Sequence, residues 1–141
     1  MSHIFWMTAT QVSLSTHYGH VLLYDDTAVK NKFRLPLGPG VVIDGEYFSR
    51  IVFQMLASDT RAETFEWMLS AWEDARRGAP EAFIQDADGA CTQAVDKVYP
   101  DAKKLRCLWH LGKNVFEKCH PLLRADYPVS FSQAHRARYV F

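Results

Sequence analysis

Two short apolar runs, each cut off by aspartate, limit what this chain can fold into. Residues 20–24 (HVLLY) stop at Asp25 and Asp26, and Ala82-Phe83-Ile84 stops before Asp86. A short apolar run without alternation is the pattern of a strand buried on both faces, which belongs inside a helix-covered sheet. A chain that is 48% hydrophobic and 13% aromatic can supply such a core, and this composition excludes a disordered or low-complexity segment.

The remaining punctuation orders the elements. From Phe33 the chain is extended through Pro36, is interrupted by Gly38-Pro39-Gly40, and resumes as Val41-Val42-Ile43 before Asp44-Gly45, a two-residue hairpin signal. Residues 47–57 read as the returning strand. Thr60 and Glu63 form the pattern of a capping box, and Phe65, Met68, Leu69, Trp72 and Ala75 follow at helical spacing. Phe65, Trp67, Met68 and Trp72 are expected in the core. Arg76, Arg77 and Gly78 close this helix and Pro80 ends it. Asp88 is placed to cap a helix through Val98 that Pro100 ends. Residues 105–108 read as a last short strand and 110–118 as a helix. The order β-β-β-α-β-α-β-α is that of an α/β, ribonuclease-H-like mixed sheet with helices on both faces, here incomplete at its C-terminus. One domain is expected, with its core over residues 1–120 and an irregular tail over 121–141.

In that arrangement the first and fourth strands are neighbours, so Asp25 or Asp26 meets Asp86 at the carboxyl edge, where α/β sheets place their sites. Carboxylates held close repel unless a cation lies between them, and oxygen donors suit Mg²⁺ or Mn²⁺. Two such ions activate a water or a 3′-hydroxyl for in-line attack on phosphorus.

A formal net charge of zero does not oppose a nucleic-acid partner, because it is a cancellation. Residues 1–100 hold 8 Lys+Arg against 13 Asp+Glu, and residues 101–141 hold 8 against 3. Lys103, Lys104, Arg106 and Lys113, with Lys118, Arg124, Arg136 and Arg138, form this basic end, either a solubilising surface or contacts to DNA phosphates. No basic n-region opens the chain and no apolar run approaches the ~20 residues that cross a bilayer, so a soluble intracellular protein without a membrane partner is expected. Cys91, Cys107 and Cys119 are an odd set that argues against a disulfide framework.

Several weak motifs in one order carry a resemblance. Phe5-Trp6-Met7-Thr8 with Gln11, then Val21-Leu22-Leu23-Tyr24-Asp25-Asp26-Thr27 with Asn31 and Pro36, resembles the opening of the catalytic domain of Mutator-like (MULE) transposases. Ser58-Asp59-Thr60 with Glu63, Phe65 and Trp67 is similar to that family's helix after the third strand. Ile84-Gln85-Asp86, Ala94-Val95, Val98-Tyr99-Pro100 and Cys107-Leu108-Trp109-His110 are similar to its second-acid segment and C-x-W-H element. The resemblance covers roughly residues 5–115. It implies a DDE-type DNA transposase core using two Mg²⁺ or Mn²⁺ ions, with transposon-end DNA as partner, a nuclear location, and oligomerisation through regions outside this chain. It places the catalytic, metal-holding acids at Asp25 and Asp86, leaving Asp26 as a turn neighbour and Asp88 as a helix cap.

The third acid is where the sequence departs from the family. Its final Glu follows a long helical insertion after the C-x-W-H element, so this chain reads as truncated and inactive by itself. Glu117, the compact-relative alternative, reads as a surface residue. Cys107 and His110 with Cys119 and His120 have a zinc-compatible spacing, but adjacency of the last two makes zinc the weaker reading beside packing of His110 or a role near phosphate. The second functional reading is a domesticated DNA-binding regulator similar to the FAR1-type proteins, with the fold retained and catalysis lost.

Overall fold

The computed structural model describes residues 3–26, 32–33 and 35–123. Its elements are β1 (His3–Trp6), α1 (Ala9–Tyr18), β2 (Val21–Tyr24), β3 (Leu37–Ile43), β4 (Ser49–Ala57), α2 (Ala62–Arg76), β5 (Ala82–Gln85), α3 (Gly89–Val98), β6 (Lys103–Arg106) and α4 (Leu108–Leu123). The chain divides into two compact units, Met1–Leu105 and Arg106–Phe141. Among the described residues no helix is long and apolar enough to cross a membrane.

The strands form one mixed sheet in the order β1-β4-β3-β2-β5-β6. β3 runs antiparallel to both β2 and β4 in a meander, whereas β2 pairs with β5 in parallel. Parallel pairing needs a crossover, and α2 provides it. Along β4, Phe53, Met55 and Ala57 alternate inward and join Leu22, Tyr24, Val42 and Phe83 in one buried cluster. Onto this face α2 presents Phe65, Met68, Leu69 and Trp72, and α3 presents Cys91, Ala94 and Val95. Each large side chain removed from water contributes roughly 1.5–3 kcal/mol before entropy is counted.

Two buried hydrogen bonds join the helices of this layer. Trp72 Nε1 donates to Ser15 Oγ at 3.1 Å, tying α2 to α1, and Tyr99 Oη donates to the Leu69 carbonyl at 2.8 Å. α1, α2 and α3 therefore all lie on one face of the sheet. On the other face Ile4 and Ile51 stay 45% and 50% exposed.

The sequence reading missed β1 and α1. α1 (ATQVSLSTHY) buries only Ser15 completely and so has no apolar stripe to betray it. Its signal is the Thr8–Gln11 capping box: Gln11 N donates to Thr8 Oγ1 at 3.2 Å and Thr8 N donates to Gln11 Oε1 at 2.8 Å. The capping box expected at Thr60 and Glu63 does not form. Arg61 is the N-cap of α2 without a side-chain cap bond, and Asp59 Oδ1 instead accepts from Thr64 Oγ1 at 2.6 Å and from Arg61 N at 3.2 Å. Trp67 is 41% exposed against His3 and Phe5, unlike its buried neighbours. The expected Asp88 cap and the helix to Val98 are observed.

The β3–β4 hairpin differs from the two-residue turn read at Asp44-Gly45. Tyr47 N donates to the Asp44 carbonyl and Asp44 N donates to the Phe48 carbonyl, both at 3.0 Å, which makes a three-residue loop whose last position is left-handed. Glycine usually takes that position; here it is Tyr47, at φ 65° and 90% exposed. The Asp44 carboxylate compensates by accepting from Glu46 N and Phe48 N at 2.9 Å and from Arg50 Nε at 2.6 Å. Tyr47→Gly is expected to raise unfolding stability by about 1 kcal/mol, the cost of a left-handed non-glycine residue, as read by urea denaturation at constant slope.

Candidate functional site

The parallel ladder between β2 and β5 sets the site. Its register pairs Val21 with Ala82, Leu22 with Phe83, Leu23 with Ile84 and Tyr24 with Gln85, and the His20 carbonyl anchors the far end by accepting from Glu81 N at 2.8 Å and Ala82 N at 3.1 Å. The next residues on the two strands are Asp25 and Asp86, which therefore leave the sheet at the same level. They line one recess together with Tyr24, Asp26, Phe65, Gln85, Asp88 and Cys91. The space inside is about 10 Å³, room for one water or one ion.

Backbone amides hold two of these acids. Ala87 N donates to Asp86 Oδ1 at 2.6 Å. Asp88 caps α3, its Oδ1 accepting from Cys91 N at 2.7 Å. Asp26, expected as a solvated turn residue, is part of the cluster: although its surface remains exposed, burial of its carboxyl, then the charges of Asp88 and Asp25, and then Asp86, push its proton affinity up. Burial, Asp88 and Asp26 likewise push the Cys91 thiol up to about 12. The Tyr24 hydroxyl is raised by burial first and then by Asp26, Cys91, Asp25 and Asp88. Repulsion among carboxylates raises the affinity of such a group for anything positive, whether proton or metal.

A divalent cation fits this donor set in chemistry, since every acid is a hard oxygen donor. Among the described residues, however, no three His, Cys, Asp or Glu side chains converge as a metal-binding group. The fit is that of an ion held by one or two carboxylates and otherwise by water or substrate oxygen, the usual habit of Mg²⁺.

Tyr24, Gln85 and Thr92 were not singled out from sequence. Tyr24 and Gln85 directly precede the two acids, so the register that pairs the acids also pairs them. Thr27 and Asn31, which aligned Asp25 with the family's first acid, lie outside the described residues.

The remaining candidates are described in their own units. Lys103 and Lys104 stand exposed on β6, and Lys104 Nζ donates to the Pro100 carbonyl at 2.8 Å and pairs with Asp96 at 3.4 Å. Arg106, also exposed, opens the second unit. There Trp109 and His110 meet edge-on with ring centroids 4.7 Å apart. Lys113 lies 5.6 Å over the Trp109 ring and 3.9 Å from Glu117, so Glu117 serves an i, i+4 pair on α4. Cys107 is half-buried and Cys119 exposed. The His120 side chain, Arg124, Arg136 and Arg138 lie outside the described residues.

Comparison with known proteins adds lineage to this geometry. Residues 21–114 match the MULE transposase domain. The chain is 26% identical over 125 residues to Protein FAR1-RELATED SEQUENCE 2 of Arabidopsis thaliana, covering 88% of this chain and 16% of the relative. It is 27% identical over 136 residues to Protein FAR1-RELATED SEQUENCE 5 from the same plant, covering 90% and 17%. A third relative there, Protein FAR-RED IMPAIRED RESPONSE 1, is 26% identical over 118 residues, covering 83% and 14%. The chain thus spans about a sixth of the length of these relatives.

Asp26→Asn is expected to stabilise the metal-free protein at pH 7. Because the folded-state affinity for the proton is raised, the charged Asp26 costs stability above its folded pKa. That cost fades as pH falls and is gone below the unfolded value of about 3.9. Urea titrations in EDTA should therefore show a gain at neutral pH that disappears on acidification. A separate check uses thiol chemistry: alkylation of the native protein should modify Cys119 and spare Cys91, whose thiolate is both buried and disfavoured.

Proposed function

This chain belongs to the MULE transposase domain family, and from that premise we propose that it is the DNA-acting core of a transposase-derived protein. The reading assigns it a ribonuclease-H-like sheet, supported by the β4-β3-β2-β5-β6 order and by the parallel β2–β5 pair. The observation that carries it is the convergence of Asp25 and Asp86 from the ends of that pair on one acid-lined recess.

In this reading Asp25 and Asp86 hold Mg²⁺ or Mn²⁺. Bound there, the ion would lower the pKa of a water or 3′-hydroxyl and offset charge on the leaving oxygen of a phosphodiester. The Ala87 amide fixes one oxygen of Asp86, so the carboxylate is aimed before an ion arrives. Asp88 is committed to the α3 cap and supports the site through its charge. Lys103, Lys104, Arg106 and Lys113 contact DNA phosphates, an attraction that depends on salt and is blind to sequence. In this reading strand cleavage and transfer need a carboxylate besides Asp25 and Asp86, and the protein works in the nucleus on transposon ends.

A second reading, a DNA-binding regulator that has kept the core and lost catalysis, is favoured by two observations. The described residues contain no three-ligand metal group, and the chain's relatives include several FAR1-related proteins.

Calorimetry with Mn²⁺ and nicking of supercoiled DNA separate these readings. The core reading expects weak Mn²⁺ binding that falls at least ~10-fold in Asp86→Asn or Asp25→Asn, no nicking by this chain, and no effect of Glu117→Gln. Metal binding indifferent to Asp86→Asn overturns the site. Metal-dependent nicking lost in Glu117→Gln makes the chain a compact nuclease instead. DNA affinity should fall with salt, and replacing Lys103, Lys104 and Arg106 by Ala should lower the log–log slope by about 3; an unchanged slope leaves them as solubilising surface.

A further inference from the structure

One polar side chain in the acidic recess has no partner for half of its hydrogen-bonding capacity. Gln85 is 4% exposed, its Oε1 is buried without a hydrogen bond, and it lines the recess with the four aspartates. The identity of the unpaired atom follows from a chain of donors. Thr92 Oγ1 donates its single proton to the Asp88 carbonyl at 2.6 Å. It must therefore accept from Gln85 at 2.8 Å, which requires the amide nitrogen Nε2 at that end. The carbonyl oxygen is left as the free end of the carboxamide.

The four aspartates, when ionised, cannot satisfy this acceptor, since an ionised carboxylate only accepts. Such a group costs about 1–3 kcal/mol when left unpaired. The Tyr24 hydroxyl, itself without a partner, lies against Gly38 of β3, on the other side of β2 from Gln85. What a recess of this kind accepts is a positive group, and a neutral oxygen adds a ligand without adding to the repulsion that already raises Asp26.

We propose that Gln85 is part of the cation site: its carboxamide oxygen, aimed by Thr92 and Asp88, ligates the divalent ion held at Asp25 and Asp86, directly or through one water. The inference rests on the reading that these two acids bind metal. It gives α3 a role in the site, because the cap that starts the helix also orients the ligand. The order Gln85-Asp86 then reads as a neutral and a charged oxygen donor presented from one strand end.

Calorimetric titration of the 141-residue chain with MnCl₂ tests it, using Gln85→Leu, Thr92→Val and Asp86→Asn. Gln85→Leu is expected to keep or raise the melting temperature of the metal-free protein, since it removes an unpaired buried acceptor, and to weaken Mn²⁺ binding about 10-fold. Thr92→Val, which frees the carboxamide to turn, is expected to weaken binding by a smaller factor. A lower metal-free melting temperature together with unchanged Mn²⁺ affinity makes Gln85 a purely structural residue and overturns the proposal. If Gln85→Leu does not fold, Thr92→Val decides alone, with unchanged affinity counting against. Loss of binding in Asp86→Asn but not in the Gln85 and Thr92 variants overturns this inference and leaves the acid site standing. Affinity indifferent to Asp86→Asn, or no Mn²⁺ binding by the wild type, removes the site and the inference with it.

Discussion

The parallel ladder between β2 and β5 is the constraint on which the rest of this molecule depends, because it serves two opposed ends. It buries Leu22, Tyr24 and Phe83 in the centre of the core, and by the same register it forces Asp25 and Asp86 to emerge side by side. Burial favours the pairing and charge opposes it. The favourable term is the larger, since each buried side chain contributes roughly 1.5–3 kcal/mol while the acids at the strand ends keep contact with solvent and its screening. The fold can thus carry a clustered negative charge without being undone by it.

α3 shows how one residue supports both the fold and the site. Asp88 gives its side-chain oxygen to the first turn of the helix and its carbonyl to Thr92. Through Thr92 it sets the orientation of Gln85. Its charge also adds to the field that raises Asp26, Tyr24 and Cys91. An N-cap whose local role is worth about 1 kcal/mol therefore also organises the polar wall of the recess. The strained hairpin at Tyr47 shows the opposite case: there Asp44 and Arg50 hold a conformation that the residue itself disfavours.

The legible parts of the fold were those with strong local chemistry. The apolar run before Asp25, the strand before Asp86 and the helix from Asp88 to Val98 each carry a pattern and a stop in a few residues. α1 carries a capping box at Thr8 and Gln11 but no apolar stripe, being a Ser- and Thr-rich helix whose one fully buried residue is Ser15, under Trp72. The Thr60 capping box failed for a different reason. Thr60 and Glu63 satisfy the pattern, but Asp59 bonds Thr64 and Arg61 and takes over the entry to α2. Local motifs compete, and here the winner is another local one, since Asp59 reaches Arg61 and Thr64 within the same turn of chain.

By itself the sequence determined the order of the central elements, the family, and the two acids that end β2 and β5, because these are properties of runs and spacings along the chain. Only the tertiary structure decided that Asp26 belongs to the acidic cluster, that α1, α2 and α3 share one face, and that Gln85 presents an oxygen to the recess. Each of those depends on distances between residues remote in sequence. Electrostatic repulsion, burial and the direction of a hydrogen-bond chain have no value until the neighbours are in place.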